Sequence, residues 1–194
     1  MAGIVVVGAG QAGASVVAKL RALDYAGQIT LIGEEPSPPY QRPPLSKKYL
    51  LGELELERMY LRPESFSAEN QIDLCVNEQV TSIVPGAKEI TTTGRTIEYD
   101  HLVLATGSVP RTLPAAMGGD LEGVYLVRGL SDVDAMAPEF REGAHVLIVG
   151  GGYIGLEAAA VAAKKGLKVT LIEMADRILK RVASPETSDY FRTL

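Results

Sequence analysis

Tryptophan is missing from this 194-residue sequence, cysteine occurs once, at Cys75, and histidine twice, at His101 and His145. A lone thiol cannot pair within the chain, which excludes an internal disulfide framework and points to a reducing, cytoplasmic setting. It equally excludes a thiol–disulfide relay inside the chain, and Cys75, set among strand-like apolar residues, reads as a buried, inert thiol. Neither histidine has Cys, His or a carboxylate at ligand spacing, so no metal site is indicated. Basic charge is also short, 19 Lys and Arg against 24 Asp and Glu, for a net charge of −5. No basic run or aromatic–basic stripe marks a nucleic-acid surface. The Ser-x-Gly patterns of hydrolases are missing, and the opening MAGIVVVGAG lacks the basic flank of a signal peptide. The longest apolar stretch, Val146 to Ala163, carries Glu157 near its centre and changes from strand to helix pattern halfway, which argues against a membrane span.

Glycine, by contrast, is abundant, with 20 residues, and 46% of the chain is hydrophobic, enough for a real core. Ile4–Val7 is a short β-branched run suited to a strand buried on both faces. Helical spacing follows through Ala12, Val16, Val17, Leu20 and Leu23, and Gln28–Ile32 restores a strand pattern beyond Gly27. Residues 145–149, 153–165 and 168–172 repeat this strand–helix–strand order, with Gly166 between helix and second strand. Between the two copies, PSPPYQRPP at 36–44 predicts a stiff extended loop, Ser46 a cap for a short helix through Leu51, and 52–70 has no clear pattern. Val80–Val84, Lys88–Thr92 and Thr96–Tyr99 predict a small antiparallel meander, and His101–Ala105 a further apolar strand. A Pro- and Gly-rich stretch at 108–122 suits a crossover, and Ser131 a cap for a helix over 132–140. The expected fold is α/β: two Rossmann-like dinucleotide-binding units, parallel sheets with helices plus the meander, with the second unit incomplete.

Each first turn carries the same glycine spacing. Gly8, Gly10 and Gly13 in GAGQAG, and Gly150, Gly152 and Gly155 in GGGYIG, satisfy G-x-G-x-x-G between strand and helix. The first glycine permits a tight turn, the second lets a pyrophosphate reach the backbone, and the third lets helix and strand approach closely. Glu34 and Glu173 stand at the ends of the second strands, placed to accept hydrogen bonds from a ribose diol. A carboxylate at Glu173 repels a 2′-phosphate and so favours NADH over NADPH. Two adjacent dinucleotides make chemical sense mainly if one is a flavin and the other feeds it hydride.

In order along the chain, GAGQAG, LIGEE, PYQRPPLSKKYL, HLVLATGSVPR and VLIVGGGYIGLEAAA resemble the FAD-dependent NADH:ferredoxin reductases of the putidaredoxin reductase-like family. These belong to the pyridine nucleotide-disulfide oxidoreductase superfamily and serve cytochrome P450 and ring-hydroxylating oxygenase systems. QRPPLSK is the segment most particular to that group. The resemblance implies an FAD-binding domain over 1–110 and an NAD-binding domain over 111–194, with electrons passing from NADH through FAD to a [2Fe–2S] ferredoxin. It assigns Gly8, Gly10, Ala12, Gly13, Glu34, Arg42, Val80, Ala105, Thr106, Gly107 and Arg128 to FAD. Lys47 it sets beside the isoalloxazine as the catalytic residue, where positive charge stabilises the reduced flavin. Gly150, Gly152, Tyr153, Ile154 and Gly155 it assigns to NADH, with Glu157 on the carboxamide and Glu173 on the ribose.

Where disulfide-using relatives carry a cysteine pair, this chain reads RPPLSKKYL, with Ser46. Lys47 and Lys48, with Arg42 and Arg58, could steer an acidic ferredoxin, although a plainly solvated face explains Lys48 and Arg58 equally well. The resembled family continues well past the second ribose carboxylate, so the resemblance implies an N-terminal portion. Two other readings stay open: a related NADH oxidase-type flavoprotein, and a truncated module that binds FAD or NAD without turnover.

Overall fold

Short β-branched strands and the glycine turns that end them organise the computed structural model, which describes residues 3–193. The chain divides into two compact units, Met1–Gln41 with Leu56–Val109, and Arg42–Glu55 with Pro110–Leu194.

The first unit contains β1 (Gly3–Val7), α1 (Gln11–Ala22), β2 (Ile29–Ile32), the single turn α2 (Phe66–Glu69), β3 (Ile72–Cys75), β4 (Val80–Val84), β5 (Glu89–Thr92) and β6 (Thr96–Leu104). Its sheet runs β3-β2-β1-β6-β5-β4, parallel from β3 to β6 and antiparallel through β5 and β4. β1 lies between β2 and β6, and its side chains alternate between two cores. Val5 and Val7 pack with Ile32, Cys75, Ile90 and Tyr99, whereas Val6 packs with Val17 of α1 and with Ile29, Leu31 and Ile72. Each such side chain, fully buried, contributes about 1.5–3 kcal/mol, which is why the run is apolar without alternation.

β6 differs from the sequence expectation of two strands, Thr96–Tyr99 and His101–Ala105. It is one strand of nine residues that changes partner midway. Thr96–Glu98 pair antiparallel with β5, while Tyr99–Leu104 pair parallel with β1. The register steps from Tyr99 to His101 between Gly3 and Ile4, leaving Asp100 as a bulge. Asp100 and His101 are both exposed, so polar residues that resemble a break cost the extended chain nothing. The proline-rich loop is likewise partly paired: Gln41 N–H donates to Met59 O and Leu61 N–H to Pro39 O, both at 2.9 Å.

The second unit contains a π-helical turn at Leu45–Tyr49, α3 (Leu130–Met136), β7 (His145–Val149), α4 (Tyr153–Lys164), β8 (Lys168–Ile172) and α5 (Pro185–Arg192). β7 and β8 form a separate two-stranded parallel sheet. Arg42–Glu55 groups with this unit and not with the stretch on either side of it. It rests on α4: Lys165 Nζ donates to Leu50 O at 3.4 Å, Lys164 pairs with Glu53 at 2.6 Å, and Leu45 and Leu50 are buried. Ser46 is not a cap, because Pro44 precedes the turn and the serine hydroxyl points its bond elsewhere. α3 begins at Leu130, not after Ser131. The Asp132 carboxylate accepts the N–H groups of Arg128 and Gly129, both at 2.8 Å, so the acid closes the helix start. The apolar stretch Val146 to Ala163 is β7, a turn and most of α4, and no described helix is long and apolar enough to cross a membrane.

Candidate functional site

At the carboxyl end of β1 the parallel order reverses, with β2 on one side and β6 on the other. Open α/β sheets bind ligands at such a switch point. Gly8 makes the turn with φ of +111°, a region closed to most L-residues, and donates its N–H to Ile32 O at 2.8 Å. A Cβ on Gly8 would collide with the Ala105 carbonyl, and one on Gly13 with the Gly8 carbonyl. These contacts bring the turn, the start of α1 and Ala105–Thr106 together. Gly10, the residue capping α1, is different, since a Cβ there would meet nothing within 4 Å. The space above the first backbone N–H groups of α1 is therefore open, and those groups, with the positive end of the helix dipole, suit an anion.

Beside this turn lies a cavity of about 400 Å³ lined by Val7, Val80, Thr81, Ser82, Ile83, Leu104 and Thr106. Val80 and Thr106 are thus on its wall, and the apolar Leu104, 60% exposed, faces no protein core. Ala12, Glu34 and Gly107 are exposed. Ala105 N–H donates to Val7 O at 2.8 Å, which ties the end of β6 to the turn. The cradle, the open second glycine and the apolar cavity fit the pyrophosphate and ring system of a dinucleotide.

The second unit repeats the construction. Gly150 has φ of +114° and donates to Ile172 O at 2.8 Å; a Cβ on Gly155 would collide with the Gly150 carbonyl, and one on Gly152 would meet nothing within 4 Å. Tyr153 and Ile154, at the start of α4, are 58% and 54% exposed, an unusual position for large apolar side chains. Glu157, one turn further along, accepts a hydrogen bond from Ser46 Oγ at 2.6 Å and pairs with Lys47 Nζ at 2.8 Å. Lys47 Nζ also donates to Pro43 O at 3.0 Å. Arg42 Nη1 donates to Arg128 O at 2.5 Å. Arg42, Lys47 and Arg128 therefore sit in the second unit, although the sequence reading assigns them to the cofactor of the first.

The two carboxylates are not equivalent by position. Val7 pairs with Ile32 and Val149 with Ile172, so Gly33 matches Glu173, and Glu34 matches Met174. The reason is steric and reciprocal. A Cβ on Gly33 would collide with Ala9, whereas in the second unit the turn residue is Gly151, packed against Ile178 and the Glu173 side chain. Glu173 Oε2 accepts the Gly151 N–H at 2.7 Å and Oε1 the Ala175 N–H at 2.8 Å. These two bonds, Ala175 first, hold its carboxyl below the ordinary glutamate range. Leu179 N–H donates to Gly151 O at 2.8 Å, so the glycine is gripped from both sides.

The structure also adds Ser46, which sequence reading treats only as a cap and as the residue standing where a cysteine could be. Cys75 is buried beside Arg95, whose Nη2 lies 2.8 Å from the sulfur. Burial, and then Asp73, push its thiol up to about 11, so it is no nucleophile at neutral pH.

A profile of pyridine nucleotide-disulphide oxidoreductases matches residues 2–193. The chain belongs to this family. Among curated members it is 46% identical over 187 residues to the 5,5'-dehydrodivanillate O-demethylase ferredoxin reductase subunit of Sphingobium sp., covering 96% of this chain and 45% of that one. It is 41% identical to rhodocoxin reductase of Rhodococcus erythropolis, covering 98% of this chain and 44% of that one. The covalent putidaredoxin reductase–putidaredoxin complex superposes with a TM-score of 0.94 at 38% identity, over 99% of this chain and 47% of the solved one. The chain spans about half the length of the curated relatives it matches. The disulphide of the family name has no counterpart among its residues, since Cys75 is the single cysteine.

Proposed function

We propose that this chain carries the nucleotide-binding machinery of an NADH-dependent ferredoxin reductase, with FAD in the first unit and NADH in the second. The observation that carries this reading is the doubled cradle: each second glycine, Gly10 and Gly152, opens onto free space at a helix start, while each third glycine, Gly13 and Gly155, is packed against the carbonyl of the first. Its relatives include a protein named as the ferredoxin reductase subunit of an O-demethylase, and one solved neighbour is putidaredoxin reductase in covalent complex with putidaredoxin. FAD, when bound, accepts a hydride from NADH and releases electrons singly, which suits a [2Fe–2S] ferredoxin as partner.

The chain's own residues would then act as follows. Gly8, Gly10, Ala12 and Gly13 admit the FAD pyrophosphate to the start of α1, Glu34 accepts from the ribose hydroxyls, and Val80 and Ala105–Gly107 border the rings. Gly150, Gly152, Tyr153, Ile154 and Gly155 receive NADH, Glu157 accepts from its carboxamide, and Glu173 from the ribose while excluding a 2′-phosphate. We place the protein in the cytoplasm, on the strength of its unpaired thiol and this electron-transfer chemistry.

Purified protein should show a flavin spectrum, bleach with NADH under anaerobic conditions and then reduce a [2Fe–2S] ferredoxin. Glu173→Ala should narrow the preference for NADH over NADPH by about tenfold, the equivalent of one lost charge-assisted bond. A protein that stays colourless with added FAD refutes the first half of the reading. One that binds both nucleotides without bleaching is a binding module only.

A further inference from the structure

Glu157 has two carboxylate oxygens, and one of them carries all its contacts. Oε2 takes both the Ser46 hydroxyl, at 2.6 Å, and the Lys47 ammonium, at 2.8 Å. Among the described residues nothing bonds Oε1. The two partners are unlike. Lys47 is a long side chain, 46% exposed, and an ion pair that exposed orients its partner weakly. Ser46 is 5% exposed, on a short side chain with one rotor, and its bond to a carboxylate is charge-assisted and directional. Among the described residues the hydroxyl bonds no acceptor near it in sequence. It instead reaches a residue 111 positions away.

We propose that Ser46 is a positioning residue for Glu157: its hydroxyl fixes the carboxylate through Oε2 and keeps Oε1 available as the acceptor for an amide N–H of the nicotinamide carboxamide. Lys47 supplies charge at the same oxygen, and Ser46 supplies direction. The assignment rests on the reading of the second unit as the NADH site. It also gives a physical role to a buried serine that caps no helix.

The test compares two ligands on the FAD-loaded protein by equilibrium titration. NAD+ carries the carboxamide, whereas ADP-ribose has the same pyrophosphate and riboses without the nicotinamide. Ser46→Ala should weaken NAD+ about fivefold, the net worth of one ordinary hydrogen bond, and leave ADP-ribose unchanged. Ser46→Thr, which retains the hydroxyl, should restore most of the loss. In a Glu157→Ala background, Ser46→Ala should have no further effect on NAD+. Equal weakening of both ligands would make Ser46 merely structural and overturn the proposal. So would an undiminished serine effect without Glu157, or an unaltered NAD+ affinity in Ser46→Ala. If the unmodified protein binds neither ligand, the NADH reading itself falls, and the serine assignment with it.

Discussion

One methyl group, added at either of two glycines three residues apart, should have opposite consequences. At Gly10 a Cβ meets no atom within 4 Å, and the backbone, at φ −91° and ψ −166°, suits any L-residue. At Gly13 the same Cβ would collide with the Gly8 carbonyl. Gly10→Ala should therefore leave the thermal unfolding midpoint unchanged while weakening FAD binding roughly tenfold, because the methyl occupies the ligand's approach. Gly13→Ala should lower the midpoint, at a cost of about 1–3 kcal/mol for forced overpacking. Differential scanning fluorimetry and flavin titration on the pair separate the two roles; a matching loss of stability in both would show that Gly10 is structural. Local spacing carries this much of the site, because all three glycines and the strand end they serve lie within a few residues of one another. Ser46 is the counter-case. Its partner is so remote in sequence that no local pattern marks the contact, and its spacing resembles an ordinary cap.

Secondary elements depend on bonds that periodicity does not describe. The end of α1 is held by Arg21, whose guanidinium donates to four carbonyls: Asn70 through Nε at 2.7 Å, Tyr25 and Gly27 through Nη1 at 2.5 and 2.9 Å, and Gln71 through Nη2 at 2.7 Å. It thus fastens the helix to the turn that leads into β3 and aligns β3 beside β2. Arg21→Ala should cost about 1.5–3 kcal/mol, the worth of hydrogen bonds from a charged donor. Chemical denaturation measures it, and a change below about 0.5 kcal/mol, the ordinary surface value, would mean that water replaces the arginine fully. On sequence alone Arg21 is a basic residue in a helix's last turn, favourable to the dipole and nothing more. β6 teaches the same lesson: Asp100 reads as a strand end, yet it is the bulge at which one strand passes from β5 to β1.

Across the whole molecule, the least expected result is the membership of Arg42–Glu55. The chain leaves the first unit after Gln41, lays this segment on α4 and returns at Leu56. Leu50, 1% exposed, is a main anchor of the excursion. Leu50→Ala should cost about 2–5 kcal/mol, as buried leucine truncations do. Hydrogen exchange should quicken in Arg42–Glu55 and in α4 together. If α4 kept its protection while the segment lost its own, the segment would be a passenger and not part of the second unit's core.

The strands, the paired helices and the two glycine cradles follow from the chain's own order, because each depends on side chains two to four residues apart and on turns that only glycine closes. Membership of Arg42–Glu55, the bond from Ser46 to Glu157 and the offset between Glu34 and Glu173 depend on contacts closed by folding. In each of these three, steric fit between distant segments decides the outcome, and sequence spacing contains no term for it.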